Sequence, residues 1–154
     1  MNEMNTLKKK KIVEWCRQLI NERIEEMVLQ GKTLQDGVAN ESKSSAGDKH
    51  ETARAMMNLE QEKLGRQYQE LMTMKEYFDK INFEIVSDKI LLGSIIETNK
   101  GYFLLSVGLG KVSFHDQDVL LLSLQSPLGE ALIGKHVGEK IQMNSFQYII
   151  ESIQ

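Results

Sequence analysis

The sequence predicts an α+β protein: an N-terminal antiparallel coiled-coil hairpin of two helices, then a small antiparallel-sheet domain with one short helix. Three observations lead there. Apolar residues recur every seven positions in residues 7–81, as Val13, Ile20, Met27 and Leu34 and again as Met57, Leu64, Leu71 and Phe78. A seven-residue apolar repeat draws one seam along a helix, the pattern of a coiled coil. Between the two runs lies DGVANESKSSAGD, whose Gly, Ser, Asn and Asp are loop chemistry. From residue 82 onward the pattern changes to short apolar runs separated by turn residues.

The elements follow in order. Residues 7–39 and 49–81 would each form a helix of about 50 Å at ~1.5 Å per residue. Their matched lengths favour pairing within one chain. Gly31 and Gly37 fall late in the first helix, each at ~1 kcal/mol relative to Ala, so the tip, about 37–50, is expected to be least ordered. The organisation is then 1–81 as hairpin and 82–154 as a second domain. In the latter, KILLGSIIET (89–98) and YFLLSV (102–107) flank a turn at Asn99–Gly101, and VLLLSL (119–124) fits a buried strand. KIQMN and FQYIIES form a final hairpin around Asn144–Ser145. In SPLGEALIG, Ser126 is placed as N-cap, Pro127 at the first helical position and Gly134 as the stop.

Composition narrows the function classes. The chain has 154 residues, 41% of them hydrophobic, enough for a buried core, and a net charge of −3 that gives no global footprint for duplex nucleic acid. A single cysteine, Cys16, excludes a disulfide framework within a monomer. The start, MNEMNTLKKKKIVEW, lacks the apolar run of a signal peptide, and no apolar stretch reaches the ~18 residues of a membrane span. A soluble, cytoplasmic, monomeric protein with no membrane contact is expected.

Few residues carry candidate chemistry. Cys16 lies near the helical seam, far along the chain from His50, His115 and His136, and reads as a buried structural thiol. His115 and Asp116 in KVSFHDQDV lack a third partner at ligand spacing and read as a polar loop beside a strand. Lys8, Lys9, Lys10 and Lys11 can meet an RNA phosphate backbone or simply solvate a helix start. Asp48 and Glu51 match a capping box, in which Asp accepts from a backbone N–H and Glu reaches back. The same i, i+3 spacing puts two carboxylates on one helical face at the end of a hairpin. Two carboxylates rarely hold Mg²⁺ alone, so such a pair makes sense as ligands lent to another protein's active site.

Two stretches resemble the Gre-type bacterial transcript-cleavage factors, the GreA and GreB family that enters the RNA polymerase secondary channel. Gly47-Asp48-Lys49-His50-Glu51-Thr52-Ala53 is similar to the family's G-D-[LI]-x-E-N-A-E-Y. Ser126-Pro127-Leu128-Gly129-Glu130-Ala131-Leu132-Ile133-Gly134-Lys135, with Gly138 following, is similar to S-P-[LI]-[AG]-x-A-L-[LI]-G-K-x-x-G-D. The order of hairpin then sheet also agrees, and the likeness extends over nearly the whole chain.

The resemblance implies an FKBP-like second domain and a transcription elongation factor that binds RNA polymerase. Asp48 and Glu51 would be the tip carboxylates that share a Mg²⁺ with the polymerase and stimulate its cleavage of backtracked RNA. No cofactor would be stably bound, and the chain would not be an enzyme by itself. Ser126 and Pro127 would dock on the polymerase, and the RNA 3′ end is a possible further contact. Thr52 stands where the family has Asn, and Arg54-Ala55 where it has Glu-Tyr, a less acidic tip that bears on cleavage more than on binding. Two alternatives stay open: a non-cleaving regulator that occupies the channel, and a coiled-coil adaptor with an unrelated partner.

Overall fold

A computed structural model of the chain describes residues 3–41 and 47–154, with side chains described for 8–40 and 51–154. Two long helices come first, α1 (Glu3–Glu41) and α2 (Gly47–Lys80). Then follow β1 (Ile95–Thr98), β2 (Gly101–Ser106), β3 (Gly110–Phe114), β4 (Gln117–Ser123), α3 (Pro127–Leu132), β5 (Lys140–Met143) and β6 (Phe146–Ile153). The architecture is α+β, with the change of period marking the change of element type.

The helix α1 is longer than its sequence pattern suggests. It runs through Gly31, Gly37 and the Asp36–Glu41 stretch that composition marks as loop. A methyl at Gly31 would meet nothing within 4 Å, and one at Gly37 would stand 3.8 Å from Cε of Met57. Glycine weakens a helix through chain entropy, but helical hydrogen bonding needs no side chain, so a supported seam can continue across it. Of the expected tip, residues 42–46 lie outside the described residues.

By packing, the chain forms two compact units: residues up to Arg17 together with Tyr77–Gln154, and Gln18–Glu76. The change of period at 81/82 therefore falls inside the first unit. In the Gln18–Glu76 unit, Ile20, Ile24, Met27, Gly31, Leu34 and Val38 are among the less exposed positions on α1. They alternate by four and three residues, the spacing of a coiled-coil stripe. On α2 the same spacing picks out Met57, Gln61, Leu64, Tyr68 and Leu71. Met57 beside Gly37 shows the antiparallel sense, and Met27 and Gln30 border one groove with Gln67 and Leu71. Only Ile20 and Leu64 of these positions are buried, Leu64 less completely, because two helices alone cannot enclose a seam.

The other unit is built on a six-stranded sheet of order β3-β4-β2-β1-β6-β5. All neighbours are antiparallel except β2 and β4, which run parallel, so the sheet is mixed rather than purely antiparallel. The cause is β3, which lies outside β4 instead of beside β2. Residues 107–109 carry the chain across β4's place to the edge, roughly 10 Å for two strand spacings, within the reach of three extended residues. The chain then turns back through His115 and Asp116, both left-handed (φ 45° and 63°). Two such residues make the tight turn that suits a twisted hairpin. The polar-loop reading of His115 and Asp116 agrees with this turn, while strand β3 itself is new.

The expected strand 89–98 is also shorter. Only Ile95–Thr98 pair as β1. Gly93 has φ 97°, and a methyl there would stand 2.8 Å from the Asn82 carbonyl oxygen. The backbone therefore turns at Gly93, with Ser94 Oγ accepting from the Leu91 N–H at 2.9 Å.

The two faces of the sheet bury alternate residues. One holds Ile96, Phe103, Leu105, Ile141 and Ile150 against Leu132 of α3. On the other, Ile95, Leu104, Val119 and Leu121 are buried, and Ile12 of α1 lies beside Ile95 and Val119. Cys16 is fully buried on α1, and burial pushes its thiol up to about 12. It is a core side chain, as its place near the seam predicts. Ser106 is fully buried too, and its hydroxyl finds no hydrogen-bond partner among the described residues.

Two outcomes follow. Cys16 should be inert to a thiol-specific disulfide reagent at pH 8 in the folded protein and react at once in denaturant. Since the folded thiol keeps its proton well above the unfolded value, this group makes stability fall as pH rises from about 9 toward 12. Cys16→Ala should lack that component in pH-dependent denaturant titrations. Ser106→Ala removes an unpaired buried hydroxyl at little change in shape and should raise unfolding free energy by about 1 kcal/mol. A lower unfolding midpoint would mean that the hydroxyl is satisfied.

Candidate functional site

Helix α2 begins at Gly47, so Asp48 lies one residue inside the helix and Glu51 within the next turn. The expected capping box at Asp48 and Glu51 adjoins residues 42–46, which lie outside the described residues. The two acids stand at i and i+3 in α2. Glu51 is exposed, as are Thr52, Arg54 and Ala55. The side chains of Asp48 and His50 lie outside the described residues. Among the described residues, no group of three or more His, Cys, Asp or Glu could hold a metal ion.

The second candidate segment is fully described, and its residues meet strict backbone demands. Ser126 is extended (φ −72°, ψ 151°) and caps α3 by accepting from the Gly129 N–H at 3.1 Å. Its hydroxyl donates to the Ser123 carbonyl at 2.8 Å. Pro127 occupies the first turn, where a missing N–H costs nothing. A methyl at Gly129 would stand 2.0 Å from the Ser123 carbonyl oxygen, so only glycine fits there. Gly134 (φ 80°) ends the segment in a left-handed conformation. Its N–H donates to the Ile90 carbonyl, and the Ile90 N–H donates to the Lys135 carbonyl, both at 2.8 Å. Beyond it, the Glu139 carboxylate accepts from the His136 N–H, which holds it below the usual carboxylate range. This scaffold leaves Pro127 exposed and Ser126 half-buried, with Ile133 and Val137 also at the surface. Those two apolar residues escape sequence reasoning, because nothing in their spacing distinguishes an exposed Ile or Val from a core one.

The lysine run is not a single surface. Lys8, Lys10 and Lys11 are exposed, but Lys9 is buried, 7% exposed, and its Nζ donates to the main-chain oxygen of Gln154 at 2.9 Å. Burial lowers its ammonium to about 8. Lys8 Nζ sits 5.6 Å from the Tyr102 ring centroid. In this arrangement Lys9 is withdrawn from RNA contact, and Lys8, Lys10 and Lys11 are the members of the run that remain at the surface. His115 meets Phe114 edge-on at 4.5 Å, and Phe114 lies 6.2 Å from Trp15. No described helix is long and apolar enough to cross a membrane.

No family model matches the chain, and no curated protein matches it significantly. Among solved structures, that of the transcription factor Gfh1 is similar over 93% of this chain and 91% of that one, at 18% identity and a TM-score of 0.34. A likeness at that score decides neither the function nor the site residues of this chain.

Proposed function

We propose that the chain is a Gre-like transcription elongation factor that binds RNA polymerase, places its helical tip in the secondary channel and stimulates Mg²⁺-dependent cleavage of backtracked RNA. The observation that carries this reading is the position of Asp48 and Glu51. They stand at i and i+3 early in α2, a spacing that suits one helical face, and Glu51 is exposed. The SPLGEALIGK segment supports the reading as a second likeness in the expected order.

The donor set suits a shared metal rather than a resident one. Mg²⁺ takes near-octahedral oxygen ligands, and one helix face offers two carboxylates, so the remaining ligands would come from the polymerase. Bound there, the metal would supply Lewis-acid activation of water for phosphodiester hydrolysis. This chain's part is to bring two negative oxygens to the metal and hold them on a helix. The chemistry belongs to the polymerase, so the chain is not an enzyme alone. Ser126 and Pro127, with Ile133 and Val137 nearby, offer a surface for docking on the polymerase.

A second reading, occupation of the channel without cleavage, is favoured by Arg54 and Ala55. Both are exposed on α2, one adds positive charge near the acids and the other replaces an aromatic. Pairing of α1 and α2 within one chain speaks against a coiled-coil adaptor that dimerises through this region.

The test uses a stalled, backtracked RNA polymerase complex. The protein should bind it and shorten the RNA 3′ end only with Mg²⁺ present. Asp48→Asn and Glu51→Gln should keep helix content and binding but lower cleavage by at least the ~10-fold that a lost metal-supporting contact costs. Binding without cleavage would select the regulator, and absence of binding would overturn both readings.

A further inference from the structure

We draw no further inference here: the strongest candidate, the cavity of about 720 Å³ between the start of α1, residues 81–87 and the end of β6, lined in part by the exposed Ile85 and Val86, carries nothing because nothing in the structure shows what covers it.

Discussion

The sheet has two apolar faces, and one chain must cover both. The six-residue helix α3 covers part of one, through Leu132 and its neighbours. The other buries Ile95, Leu104, Val119 and Leu121, and what lies beside it is the beginning of α1. Ile12, Val13 and Cys16 of that stretch are buried, Ile12 beside Ile95 and Val119. At the end of α2, Phe78 is buried as well and packs on Phe83 at 4.9 Å between ring centroids. Arg17 ties the two helices by its ion pair to Asp79 at 3.2 Å. That pair is exposed and worth little by itself; burial of the apolar residues supplies most of the stabilisation. The covering requirement explains why packing groups the ends of both helices with the strands, although periodicity assigns them to the hairpin.

Much of the fold was legible because its signals are local. The heptads at Val13–Leu34 and Met57–Phe78, the Ser126-Pro127 helix start, the Gly134 stop and the Asn144–Ser145 turn are each written within a few residues. What escaped depends on distant partners. Strand β3 has one buried side chain, Val112, and its identity as a strand comes from pairing with β4. The break at Gly93 is set by a carbonyl at Asn82, eleven positions earlier along the chain. The burial of Lys9 is set by Gln154. A run of four lysines reads as uniform surface, and only tertiary structure separates the inward member from the rest.

The two candidate segments carry different kinds of information. Nearly every distinctive residue of SPLGEALIGKHVG has a conformational duty: Ser126 caps, Pro127 starts, Gly129 makes way for a carbonyl, and Gly134 and Gly138 take left-handed angles. Likeness in this segment therefore speaks first about the fold. The acids of α2 are different. Glu51 is exposed in α2, so an acid there points to what the surface meets.

The contact between Lys9 and Gln154 spans 145 positions and has a kinetic meaning. Residues near the start of α1 are synthesised before the strands on which their apolar partners lie. Ile12 completes its packing only beside Ile95 of β1 and Val119 of β4, and Lys9 only with Gln154. Such long-range closure slows folding relative to a helical hairpin of the same length. Meanwhile the apolar side of a nascent helix stays uncovered, a state open to misassociation and to chaperones.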